Sequence, residues 1–100
     1  MSVTPVAGLA SQIVTGNTAV DAVGPGPNGG IITNPASAAD QGLATAEVLW
    51  VNPVTTAGIA ANGTTFAIQP GGSWSVIPGQ TTATSVNGAT SGHKFTVVQW

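Results

Sequence analysis

One hundred residues with a mass of 9.7 kDa hold a single small domain. Only Asp21, Asp40, Glu47 and Lys94 carry formal charge, against about 25 charged residues in an average chain of this length, and there is one histidine and no cysteine, tyrosine or arginine. So neutral a chain excludes nucleic-acid binding by phosphate neutralisation, the missing thiols exclude a disulfide framework, and the thin supply of titratable groups sets enzymes aside.

Val, Ile and Thr supply 32 of the 100 positions, and β-branched side chains favour strands. The 14 glycines and 7 prolines, spread without a period, cut the chain into short segments. High hydrophobicity with a net charge of only −2 argues against disorder. The expectation is an all-β fold, a small antiparallel β-sandwich, jelly-roll-like, with an extended N-terminal arm.

The arm covers residues 1–18, where Pro5, Gly8 and Gly16 break any helical or strand period. The opening MSVTPVAGLAS has no basic stretch ahead of an apolar run, so no export signal is expected. The sandwich occupies 19–100. Thr18 to Val23 reads as a strand, Gly24 to Gly30 (GPGPNGG) as a tight loop, and Asn34 to Gly42 as a second irregular stretch in which Ser37 caps a short helical turn. Thr45 to Val51 is a strand ended by Asn52-Pro53. Thr55 to Ala61 and Thr64 to Ile68 flank Asn62-Gly63, a pair suited to a type I′ hairpin. Ser73 to Ile77, Thr81 to Val86 and His93 to Trp100 complete the series, with His93, Phe95, Val97 and Gln99 on one face of the last strand. No run approaches the roughly 20 apolar residues of a membrane span, so no membrane partner is expected.

His93 lies beside Ser91 and Lys94, but no oriented carboxylate completes a nucleophilic triad, and a histidine at a hairpin edge is the plainer reading. Asp21, Asp40, Glu47 and His93 fall in different elements and do not form a metal set. No catalytic residue, cofactor site or metal site is assigned, and GPGPNGG lacks the Lys-Ser/Thr of a phosphate loop. Asn62-Gly63-Thr64 matches a glycosylation sequon that the expected turn already explains. Trp50, between Leu49 and Val51, reads as core or buried interface, whereas Trp74 and Trp100 are candidate contact residues. In the arm, Val3, Val6, Leu9, Ile13 and Val14 are too apolar to be left in water, and the expectation is that they lie on a neighbouring subunit or another surface. An edge strand completing the chain's own sandwich is the alternative.

Two passages, GGIITNPASAADQGLATAEVLWVNPV (29–54) and NGTTFAIQPGGSWSVIPGQTTATSVNGATSGHKFTVVQW (62–100), resemble small virion proteins of tailed bacteriophages, of the head decoration or capsid cement type. The resemblance rests on a cadence of turns and contains no diagnostic chemistry. It implies a structural subunit made in the host cytoplasm and placed on the virion surface, with the major capsid protein and further copies of itself as partners. A bridge-free, uncharged small domain independently points to self-association, with a trimer favoured. The alternatives are a carbohydrate-binding sandwich, in which tryptophans stack on sugar faces, and a minor tail or fibre component.

Overall fold

The computed structural model describes residues 4–26 and 28–100. Eight strands run β1 (Val6–Ala7), β2 (Val20–Val23), β3 (Gly30–Thr33), β4 (Leu49–Asn52), β5 (Phe66–Ile68), β6 (Ser73–Val76), β7 (Thr84–Asn87) and β8 (Thr96–Gln99), with one helical turn, α1 (Ala38–Gln41), between β3 and β4. They form two four-stranded antiparallel sheets, the first ordered β1-β8-β3-β6 and the second β2-β7-β4-β5. Strands 1 and 8, 2 and 7, 3 and 6, and 4 and 5 are partners. This is a long antiparallel ribbon rolled up on itself, the jelly-roll arrangement.

Alternation along each strand explains why the roll closes. Ile32 and Val97 from the first sheet and Val23, Leu49, Val51, Ile68 and Val86 from the second fill the space between the sheets, joined by Ile13, Val76 and Phe95. Along most strands their neighbours in sequence lie on the opposite face, as the period of two requires, whereas Ala22 and Val23 are both in the core, at the bulge of β2. At full burial each such side chain contributes about 1.5–3 kcal/mol. Gly8 sits where a Cβ would fall 2.4 Å from Val97 Cγ1, so only glycine lets the N-terminal segment lie this close to the core.

The N-terminal segment is part of the roll. β1 pairs with β8 through Val6–Gln99 and Ala7–Val98, Leu9 N donates to Ala22 O, and Ile13 exchanges backbone bonds with His93 and Gly92. Gln12 bridges to Lys94. Among its described residues the segment is the edge strand considered as the alternative, and its ordering needs no neighbouring subunit.

Three other expectations change. Gly30, expected to end the tight loop, and the three residues after it form Gly30–Thr33, a central strand between β8 and β6. Residues 55–61 are not a strand. The side chain of Asn52 accepts from Val54 N, Thr55 N and Thr64 Oγ1, while Ser85 Oγ accepts from Ala57 N and Asn87 Nδ2 donates to Ala57 O. The connection from β4 to β5 is thereby laid over the outer face of the second sheet, where its polar backbone finds partners. Asn62-Gly63 also does not centre a type I′ hairpin: Thr65 N donates to Asn62 O, Gly63 has φ of 56° and Asn62 does not have positive φ. Asn62 therefore precedes the bend and does not occupy it. Ser37 caps α1 as expected, accepting from Asp40 N, and Gly42 ends the helix at φ of 75°.

Candidate functional site

Two places gather side chains with something to do. The first is a hollow of about 260 Å³ at one end of the sandwich, lined by Val6, Leu9, Gly24, Pro25, Gly26, Asn28, Gln99 and Trp100. Pairing of β1 with the end of β8 delivers Val6 and Gln99, and the glycine- and proline-rich loop after β2 supplies the opposite wall. Trp100 is fixed by backbone bonds: its carbonyl accepts from Asn28 N and Gly29 N, and its N–H donates to Gly29 O. A Cβ at Gly29 would fall 2.8 Å from Trp100 Nε1, so that glycine seats the indole. Val6 is 52% and Leu9 61% exposed, and no charged residue lines the hollow.

Three nominated interface residues, Val6, Leu9 and Trp100, thus converge. The others separate. Val3 lies outside the described residues. Ile13 is fully buried in the core, so its expected interfacial role is corrected: its side chain faces the inside of its own domain. Val14 is exposed but does not line the hollow. Trp74 lies against the core and packs on Phe66, ring centroids 5.4 Å apart at 57°, closing the gap between the sheets at the β6 and β5 edges. Trp50 is half-buried, in register with Ala67 and Asn87.

The second place is a polar cluster in the interior. Asn34 Nδ2 donates to Glu47 O and Ile68 O, and Gln41 Nε2 donates to Asn34 Oδ1, Pro35 O and Glu47 O. His93 Nε2 lies 2.8 Å from Asn34 Oδ1. The residue expected at a hairpin edge is fully buried, because the N-terminal segment crosses over it. Burial holds the His93 pKa below its ordinary value, and the nearby Glu47 charge opposes that shift. Glu47 Oε2 accepts from Thr90 Oγ1 at 2.6 Å.

This cluster pins the segment from Asn34 to Glu47 to both sheets. It does not assemble the Ser91 constellation, since Ser91 Oγ accepts from Gly16 N and His93 faces Asn34. Among the described residues no three of His, Cys, Asp and Glu come together as a metal set, and no helix is long and apolar enough to cross a membrane. Sequence reasoning missed Asn28 and Gln99 in the hollow and Asn34 and Gln41 in the interior. The one legible signal was the glycine-rich loop, in which Gly29 admits the indole.

Comparison with protein-family models, curated proteins and solved structures found no match for this chain.

Proposed function

We propose that this chain is a structural virion protein, a capsid decoration or cement subunit that binds the shell of the major capsid protein and stabilises it. The observation that carries the reading is the hollow: Val6, Leu9 and Trp100 present apolar surface together, with no charged side chain in its lining. Covering such a patch stabilises a complex by about 25 cal/mol per Å² before association costs are subtracted. Repeated over a shell, contacts of modest strength add up. The turn cadence, which resembles that of head decoration proteins, supports the same reading, as does a jelly-roll frame, which viral capsid and lectin domains use. The frame by itself assigns neither role.

The test is co-sedimentation of the purified chain with capsids that lack it, with mass spectrometry of native particles as the independent check. Leu9→Asp places a charge in the hollow, and the expected result is at least a tenfold loss of capsid binding with the fold retained. Unchanged binding would remove the hollow from the contact.

A carbohydrate-binding role is the second reading, favoured by one feature: the hollow sets an indole beside the amides of Asn28 and Gln99, an apolar plate with neutral polar neighbours. Saccharide titrations monitored by tryptophan fluorescence, with Trp100→Phe as control, distinguish the two readings.

A further inference from the structure

The four outer edges of the two sheets are not alike. β1 is two residues long and follows Pro5. β2 is bulged between Asp21 and Val23, exposes the Asp21 carboxylate, and has its Ala22 carbonyl occupied by Leu9 N at 2.8 Å. β5 has three residues, and its Ile68 carbonyl accepts from Asn34 Nδ2 at 2.9 Å. Shortness, bulges, charge and covering groups are the devices that stop a strand edge from recruiting another chain.

β6 is one residue longer than β5 and has none of the other devices. Ser73–Val76 is in unbroken register with all four residues of β3 on its inner flank and contains no charge, proline or bulge. Among the described residues, no hydrogen bond reaches the amides and carbonyls on its outer flank. Ser73, Ser75 and the following Ile77 are exposed.

We propose that β6 pairs antiparallel with β6 of a second copy, joining the two first sheets into one sheet of eight strands across a two-fold axis. A second copy is the fitting occupant because an antiparallel edge is complementary to itself under a two-fold axis, each free N–H meeting a free C=O. No residue between Glu47 and Lys94 carries a formal charge, so self-pairing opposes no like charges. The protection of β1, β2 and β5 also stops the pairing at two copies. A trimer joined through strand edges would need a second, different open edge, and none is found among the described residues. The inference names the partner within the assembly reading above and rests on that reading for its purpose.

Sedimentation velocity on the full chain at about 1–100 μM, a useful assay window, tests it. The expected mass is twice 9.7 kDa, with alternate amides of residues 73–76 gaining exchange protection as concentration rises. Ser75→Lys sets like charges across the axis on an exposed position, and the expected effect is about a tenfold or larger rise in the dimer dissociation constant. Ser73→Lys does the same should the first variant fail to fold, as read by circular dichroism. Val98→Lys, on the outer face of the same sheet two strands away, leaves the dimer intact. A wild-type chain that stays monomeric, or a dimer lost in Val98→Lys but kept in Ser75→Lys, overturns the proposal. A monomer that still sediments with capsids overturns the edge pairing alone. A dimer that never sediments with them supports the pairing and overturns the capsid reading.

Discussion

His93 Nε2 donates its proton to Asn34 Oδ1 across 2.8 Å, joining two residues 59 positions apart in sequence. The direction follows from the partners. The Asn34 NH₂ group is committed to the carbonyls of Glu47 and Ile68, so its oxygen is the acceptor and the imidazole must be protonated at Nε2. Nδ1 is then a lone pair in the interior, with no hydrogen-bond partner among the described residues.

This arrangement makes Asn34 the hub of the connection from β3 to β4. Asn34→Ala removes the side-chain partner of His93 Nε2 and of the Ile68 carbonyl, while Gln41 Nε2 and the Glu47 carbonyl each lose one bond but keep the one between them. Unsatisfied buried groups cost about 1–3 kcal/mol each where water cannot enter. The expected loss is about 3–5 kcal/mol, read from urea unfolding, whereas Asp40→Asn on the exposed side of α1 changes stability by less than about 0.5 kcal/mol.

Stability should fall on mild acidification. Burial lowers the folded-state pKa of His93 below its unfolded value of 6.5, so between those two values the unfolded chain binds the extra proton. The contribution is complete above the unfolded value, declines as pH drops through the window below 6.5, and levels off beneath the folded pKa. The slope for one group cannot exceed about 1.4 kcal/mol per pH unit. Urea midpoints measured from pH 7.5 downward check this. His93→Gln should flatten the slope in that window and, at neutral pH, lower stability through lost packing, in contrast to the tolerance expected of an exposed edge residue.

Residues Ile13 and Val14 should respond in opposite ways. Ile13→Ala opens a cavity in the core and costs about 2–4 kcal/mol, while Val14, 71% exposed, tolerates alanine or serine within about 0.5 kcal/mol. Deleting residues 1–16 removes Ile13, β1 and the bonds of Leu9, Ser11 and Ile13 to β2 and the start of the last strand. The expected outcome is loss of cooperative thermal unfolding. A truncated chain that unfolds as sharply as the full one would contradict the packing described for the segment.

Asn52 fastens the cover over the second sheet. Its oxygen accepts three hydrogen bonds and its NH₂ donates to Thr65 Oγ1. Asn52→Ala should cost about 2–3 kcal/mol and make residues 53–65 the first site of limited proteolysis, with cleavage sites identified by mass spectrometry.

Much of the architecture was legible in the residues themselves. β-Branched content and turn spacing implied an all-β sandwich, and the two faces read along the last strand do differ, with His93, Phe95 and Val97 buried and Lys94, Thr96 and Val98 exposed. Asn52-Pro53 marked the end of β4, and Ser37 announced α1, because turn and cap chemistry acts over three or four residues. Long-range hydrogen bonding was not legible. Gly30–Thr33 has the same local character as an edge or a loop, and only the flanking strands β8 and β6 make it central. Asn62-Gly63 favours a hairpin in isolation, yet the Asn52, Ser85 and Asn87 side chains hold the preceding residues off the ladder. His93 looked exposed beside Gly92 and Lys94, and it is buried because a segment some 80 positions earlier in the chain, around Ile13, crosses over it. Local rules decide which residues turn and which extend. Which polar groups are enclosed, and which apolar ones meet at a surface, is decided when strands 1 and 8, remote in sequence, become neighbours in the roll.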